Sequence, residues 1–429
     1  MKRKILSLFV AMCVALSSMT GFAFAADSVS YETAMSGTQN YLVKSLGGNP
    51  QYGDEWKIIG LARSGADVSA SLYTTYYNNL VKTVKACDGV LDSRKYTEYS
   101  RVILAVTAIG KDPTNVGGYN LLEKLADFEQ VRWQGINGSI FALIALDSKE
   151  YAIPSVKGVK VQTTRDLLIE DILDQQLSDG GFALSGTAAD PDITGMAVQA
   201  LSGYMNKSNV KAAVDKALDC LSNLQKADGT YSSWGTKNSE SICQVIVALT
   251  SAGIDPTKDQ RFIRNGNSTI DGLLSFYVTG GGFRHVNTAA DGYQPVVNSM
   301  ASEQGYYALT AYDRLVKGKS SLYDMTDGAV VTKKPGKVTI SSLKSTSTKK
   351  MTVKWKKVST AEGYQVVYST SSKFTSKKTI TVSKSTLSRT VKSLKKGKTY
   401  YVKVRAYRKD VKGNKVYGTY STVKKVKVK

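Results

Sequence analysis

The sequence predicts two unlike domains, an all-α array of repeated helical hairpins followed by an all-β sandwich. Three observations predict them. Apolar residues fall at helical spacing between Tyr31 and Met325 and alternate along short strands after Pro335. Segments of the first part share one plan that recurs about every 50 residues. The charge also breaks at this boundary: residues 333–429 hold 28 Lys and Arg against only Glu362 and Asp410, a local balance of +26, whereas residues 1–332 hold 30 basic and 33 acidic groups. The formal net charge of +23 over 429 residues is thus an average of two unlike parts. A 42% hydrophobic chain of this length is globular and long enough for two or three domains.

The chain opens on a targeting pattern. Lys2, Arg3 and Lys4 are followed by an apolar run over residues 5–16, and Ala23-Phe24-Ala25 offers small residues for cleavage. The expected organisation is a signal peptide at 1–25, the helical domain at 26–325, a linker at 326–335 and the sandwich at 336–429. No later stretch approaches the roughly 20 apolar residues of a membrane helix, so the expected location is the medium or the cell surface. A single histidine excludes any two-His metal site, and no cofactor or metal is expected. Cys87, Cys220 and Cys243 form no CxxC pair and read as buried thiols, with a Cys220–Cys243 bridge left open.

Within the helical part, the clearest repeats carry a glycine-aromatic turn, a polar loop and then a helix of small and aliphatic residues. Asp179-Gly180-Gly181-Phe182 leads to a helix over 193–204, Asp228-Gly229-Thr230-Tyr231 to one over 241–252, and Gly280-Gly281-Gly282-Phe283 to one over 302–315. Their aromatic residues stand 49 and 52 positions apart. Segments 56–66, 99–109 and 138–146 read as further copies of the helix. Gly110 with Pro113, and Gly253 with Pro256, stop two of the helices alike. Ala200, Ala248 and Ala311 let helices approach closely. About six hairpins fit the length, and both an open solenoid and a closed ring satisfy the pattern.

Gln176-Leu177-Ser178-Asp179-Gly180-Gly181-Phe182, with Asp190-Pro191-Asp192-Ile193-Thr194 after it, resembles the QxxDGGF turn and acidic motif of the terpenoid cyclase and prenyltransferase repeat superfamily. The resemblance covers roughly Tyr31 to Met325 and implies an α/α toroid, with inner and outer helices around a central cavity. Class II cyclases of that superfamily protonate an alkene with a DxDD acid held neutral by its surroundings. Here Asp190 and Asp192 are present, but Ile193 stands in the last place. The prenyltransferases hold zinc with an Asp-x-Cys pair and a histidine, and this chain has no Asp-x-Cys. The resemblance therefore implies the toroid without its familiar activities. A degenerate class II cyclase would need Asp192 in a sealed, aromatic-lined chamber.

Asn137, Asp192, Glu240 and Glu303 each lie eight residues before an alanine of the repeated helix, respectively Ala145, Ala200, Ala248 and Ala311. Equivalent places in a closed toroid bring them around one mouth; as isolated helix starts they would serve as caps. Trp133 and Trp234 lie in the loops just before these helices, beside Gln134 and Asn238, and Asp190 precedes Asp192. Aromatic faces next to amides and carboxylates suit a sugar or an organic cation. Asp192 and Glu240 could alternatively act as the acid and base of a carbohydrate-active enzyme. His285 lies in a glycine-rich loop, where it titrates near neutral pH or simply faces water.

In the C-terminal part, residues 351–355, 363–368 and 400–407 alternate apolar and polar, with Ser, Lys and Gly turns between them. Trp355 on an early strand, and Leu394-Lys395-Lys396-Gly397-Lys398-Thr399-Tyr400 leading into a later one, resemble a fibronectin type III domain. The resemblance makes Trp355 core and Tyr400 the corner tyrosine. A charge of +26 exceeds the roughly +2 to +8 that solubility asks of a small domain. An anionic cell-wall polymer or acidic glycan is the expected partner and nucleic acid is not, because the aromatic residues interleave as core strands. The expectation is an exported, non-catalytic binding protein, its toroid taking an unknown small ligand, glycan or protein partner and its sandwich holding an anionic surface.

Overall fold

The computed structural model describes residues 29–289, 292–328, 334–409 and 415–429. The expected signal peptide and half of the expected linker, residues 329–333, lie outside the described residues. The helical part comprises α1 (Tyr31–Ser45), α2 (Glu55–Ser64), α3 (Ala70–Ala86), α4 (Thr97–Ala108), α5 (Ile136–Asp147), α6 (Arg165–Leu173), α7 (Pro191–Leu201), α8 (Ser208–Leu224), α9 (Ser239–Ser251), α10 (Thr269–Leu274) and α11 (Ser299–Val316). A 3-10 stretch at Leu121–Ala126 and a short helix at Phe128–Val131 stand between α4 and α5.

Six of these helices pack on one another in a continuous series. α2 packs on α4, α4 on α5, α5 on α7, α7 on α9, α9 on α11, and α11 in turn on α2. The others lie against them: α1 on α11, the 3-10 stretch on α4, α6 on α5, α8 on α7 and α10 on α9. Neighbours in the first set run parallel. Asp192 and Glu240, each second in its helix, influence one another electrostatically, while Gly195 meets Gln244 one turn further along. A Cβ on Gly195 would come 2.9 Å from the Gln244 carbonyl oxygen, so glycine there permits the close approach.

The glycine-aromatic turns precede these helices and anchor them. Phe182, Tyr231 and Phe283 are fully buried. The Phe182 amide donates to the Thr194 hydroxyl in α7 at 2.9 Å, and the Phe283 amide donates to Ser302 in α11 at 3.0 Å. Asp179 accepts the Gly181 amide, which holds Gly180 in its positive-φ turn. Trp56 packs among Phe141, Tyr307 and Tyr323 at ring separations of 6.0, 5.7 and 6.5 Å, so aromatic side chains from α2, α5 and α11 meet in the interior. Beside them Gln199 donates to Gln244, and Gln244 donates to Gln304 and to the Tyr307 hydroxyl. Cys87, Cys220 and Cys243 are free thiols, and burial pushes Cys220 up to about 11.

The helical unit extends past the boundary expected at 325. Arg63 and Arg314, both buried, bond Asp327, and Arg63 also donates to the Leu322 and Ser321 carbonyls. The sandwich follows with β1 (Ile340–Lys344), β2 (Met351–Trp355), β3 (Gly363–Ser369), β4 (Lys378–Ser383), β5 (Ser388–Val391), β6 (Thr399–Lys409), β7 (Lys415–Tyr417) and β8 (Lys424–Lys427). One antiparallel sheet has the order β1-β2-β5; the other has β7-β6-β3-β4, with β8 also on β6. Trp355 is buried against Tyr364, and the Tyr400 hydroxyl accepts the Lys395 amide at 3.1 Å, the corner arrangement. The two units have separate cores. Between them Arg408 donates to Asp67 and the Val68 carbonyl, and Ser69 donates to Glu362 at 3.2 Å.

Gly138 tests the packing of α5. A Cβ there would sit 1.8 Å from the Val131 carbonyl oxygen, backbone that cannot swing aside. Gly138→Ala is expected to cost roughly 1–3 kcal/mol or more, seen as a lower unfolding midpoint for the helical part with the sandwich transition unchanged. An unaltered midpoint contradicts the close approach.

Candidate functional site

Each helix of the contacting set contributes a polar side chain from its first two turns: Glu55, Arg101, Asn137, Asp192, Glu240 and Glu303. Because neighbouring helices run parallel, these residues share one end. None of the four spaced residues named from sequence accepts the capping hydrogen bond of its helix. Asp190 caps α7 through the Asp192 and Ile193 amides, Asn238 caps α9 and Asn298 caps α11. The caps free Asp192, Glu240 and Glu303 from that duty.

Asp192 and Glu240 come together with His285. The imidazole Nδ1 lies 2.8 Å from Glu240 Oε2, which also accepts the Ser239 hydroxyl at 3.0 Å. The Tyr293 ring packs against the imidazole at a tilt, with ring centres 4.3 Å apart. Burial pushes the Asp192 carboxyl up to about 7; Asp190 and Glu240 add to this, while the nearby Ser241 hydroxyl and His285 oppose it. Glu240 is only 6% exposed, and its Oε1 has no hydrogen-bond partner among the described residues. The same holds for the buried atoms Asp192 Oδ1 and Asn137 Oδ1. Such acceptors are costly to bury unmatched, at about 1–3 kcal/mol each.

Glu303 lies in a second group. Burial pushes it up to about 7, Lys57 and Arg101 pull it back, and Asp54 and Glu55 push it further. Arg101 pairs with the fully buried Glu55 at 3.0 Å and with Glu98 at 2.6 Å, while Tyr52 donates to Glu98 and Tyr76 to Glu55. Glu55 and Glu98, the two carboxylates beside Arg101, are thus both paired.

The loops that enter these helices carry exposed apolar side chains. Trp133 before α5 is 63% exposed, Leu184 before α7 is 55%, and Trp234 before α9 is 81%. Tyr293, Val296 and Met300 do the same around the start of α11. Trp234 sits at the tip of a two-residue β-ribbon that a Ser233-to-Asp190 hydrogen bond fixes to α7. Gln134 is otherwise engaged: its carbonyl accepts the Thr97 amide at the start of α4. Trp133 lies under the Arg94 guanidinium.

At the opposite end of the helices a recess of about 630 Å³ is lined by Asp147, Arg165, Gln199, Tyr204 and Tyr323, among others. Tyr323 belongs both to this lining and to the Trp56 cluster, so the aromatic interior separates the recess from the carboxylate end. Among the described residues, no group of three or more His, Cys, Asp and Glu is placed to hold a metal ion, and no helix is long and apolar enough to cross a membrane.

Sequence reasoning missed the partner of Glu240, since a lone loop histidine gives no spacing to follow. It also missed Glu55 and Arg101, although the acidic Asp54-Glu55 pair before Trp56 was a usable signal.

With this geometry in place, comparison with known proteins adds the class of the C-terminal unit. The fibronectin type III domain model matches residues 333–419, and the sandwich is such a domain. The solved structures similar to it include the chicken CNTN1 FN1-FN3 domains, at 26% identity over 22% of this chain and 32% of that one, with a TM-score of 0.19. The fn3 domain of human contactin 1 is 20% identical over 21% of this chain and 73% of that one, also with a TM-score of 0.19. This chain therefore spans about a third of the chicken structure's length. No curated protein matches the chain.

The raised Asp192 carboxyl sets a pH dependence. Below its unfolded value of 3.8 both states hold the proton and nothing is gained or lost. Between about 4 and 7 the folded chain keeps a proton the unfolded chain releases, so stability falls with rising pH, by on the order of 4 kcal/mol once complete. Glu303 acts in the same direction. Asp192→Asn removes the Asp192 contribution: denaturant titration should show the variant gaining on the parent from pH 4 to pH 8. An identical difference at pH 5 and pH 8 contradicts it.

Proposed function

We propose that this is an exported, non-catalytic binding protein: the helical unit is an α/α toroid that captures a ligand at its carboxylate mouth, and the basic fibronectin type III domain adheres to an anionic cell-wall or glycan surface. The closing contact of α11 on α2 supports the toroid. The opening charge pattern, an apolar run after three basic residues, supports export.

One observation carries the capture reading. Buried acceptors without partners, Asp192 Oδ1, Glu240 Oε1 and Asn137 Oδ1, stand at the end of the helices whose entry loops expose Trp133, Trp234 and Tyr293. Ionised carboxylates and amide carbonyls accept hydrogen bonds, so a matching ligand brings donors. Aromatic faces add stacking for apolar C–H surfaces or for a cation. A polyhydroxylated or ammonium-bearing organic ligand combines both.

A second reading has its own observation. Asp192 titrates near 7, while the neighbouring Glu240 is hydrogen-bonded to His285. A neutral acid beside an oriented carboxylate is the pairing that glycoside hydrolysis uses. Turnover of a glycan by the full chain that Asp192→Asn abolishes would replace capture with catalysis.

The capture reading is tested by calorimetric titration of the full chain with a panel of neutral oligosaccharides and organic amines. One class is expected to bind, and Asp192→Asn with Glu240→Gln should weaken it by about a hundredfold without lowering the unfolding midpoint. Lost stability together with lost binding assigns the pair to the scaffold. Adhesion is tested separately on isolated anionic cell walls, where retention should fall steeply between about 0.05 and 0.5 M salt as charges are screened. Salt-independent retention argues against an electrostatic anchor.

A further inference from the structure

We propose that one face of the fibronectin type III domain, the outer face of its β7-β6-β3-β4 sheet, is a docking surface for a carboxylate-bearing polysaccharide; this rests on the reading that the domain adheres to an anionic polymer. Strand alternation builds the face. On β6, Tyr400, Val402, Val404 and Ala406 point into the core, and Tyr401, Lys403, Arg405 and Tyr407 alternate with them. Register places Gln365 of β3 beside Arg405, and Tyr417 of β7 beside Tyr407.

These side chains form an alternating ladder of cation and ring. The Lys403 ammonium lies 4.3 Å from the Phe374 ring centre and 4.2 Å from that of Tyr420. The Arg405 guanidinium lies 4.5 Å from Tyr420 and 3.7 Å from Tyr417. Tyr417 meets Tyr407 edge-on, and the Lys415 ammonium lies 4.9 Å from the Tyr407 ring. Gln365 locks the middle: its Oε1 accepts the Arg405 Nε–H at 2.9 Å, and its amide donates to the Tyr417 hydroxyl at 3.3 Å.

Among the described residues no carboxylate pairs with Lys403, Arg405 or Lys415. The three cations are held by rings and one neutral amide, which orders them without neutralising their charge. The domain's acidic residues are Glu362 and Asp410, and Glu362 is engaged at the junction with the helical unit.

This arrangement selects among polyanions. Lysines on any surface attract a phosphate polymer in proportion to charge alone. A ladder that alternates rings with cations suits a chain of sugar rings bearing carboxylates. The C–H faces lie on Tyr and Phe, and the carboxylates meet the ammonium and the planar guanidinium fork.

The test uses the full chain and two probes, polygalacturonate and inorganic polyphosphate, at low salt. Lys403→Gln with Arg405→Gln removes two ladder charges. Lys344→Gln with Lys354→Gln removes two exposed charges from the other sheet. Tyr420→Leu removes a ring and no charge. On polygalacturonate the ladder pair should weaken binding by more than about tenfold and Tyr420→Leu by about fivefold, against less than about threefold for the other pair. On polyphosphate the two pairs should lose equally. Equal losses on polygalacturonate, or an intact Tyr420→Leu, overturn the ladder while leaving anionic adhesion standing. Failure of the parent to bind either polymer overturns the adhesion reading itself. Ladder-specific loss on polyphosphate alone overturns the choice of a polysaccharide.

Discussion

The parallel, in-register packing of α2, α4, α5, α7, α9 and α11 is the constraint on which the helical unit depends. Parallel neighbours place every helix start at one end and every helix finish at the other. The helix starts carry the polar side chains and the exposed rings; the finishes border the recess. Close approach at Gly195 keeps Asp192 and Glu240 level and helps bury the Asp192 carboxyl, and that burial raises its proton affinity. The buried glycine-aromatic turns fix where each helix begins, so packing and chemistry are set by the same repeated element.

The interior and the mouth divide the work. Trp56, Phe141, Tyr307 and Tyr323 fill the middle with rings, and Gln199, Gln244 and Gln304 tie helices together through amides that satisfy most of one another's polar atoms. Stability therefore resides in the centre, leaving the end free to hold groups that are poorly matched. Two carboxylic acids whose proton affinity lies near neutrality are a destabilising feature, and sites that bind or react are where a fold retains such groups. The fibronectin type III domain repeats the division: valines and Trp355 form its core, while its lysines sit at the surface.

Much of this was legible in the sequence, and the reasons are physical. Helical and strand periods differ enough that the change after Met325 marks the two folds, and glycine in a positive-φ turn leaves a recurring mark. The roles of Trp355 and Tyr400 followed from the fibronectin type III resemblance that their segments carry. Roles that depend on hydrogen-bond partners were not legible. Asp190 and Gln134 stood beside the mouth in sequence, but one caps its own helix and the other caps its neighbour. His285 gained its meaning from Glu240, 45 positions away and on another element, a distance no local pattern encodes. The boundary expected at 325 fell short because Asp327 is held by arginines from α2 and α11, contacts between residues remote in the chain.

That last feature has a mechanical side. Burial works against the Asp327 carboxylate, but its bonds to Arg63 and Arg314 outweigh this and keep it ionised well into acid. Were the fibronectin type III domain held at a surface, as proposed, moving fluid would pull on the helical unit through the chain that joins them. Tension entering through the segment after Asp327 reaches two buried arginines on different helices before it reaches the end of α11. The load would thus be shared between the first and last of the packed helices, and flow would have to break a carboxylate clamped by two buried arginines before it could unravel the chain from its final turn.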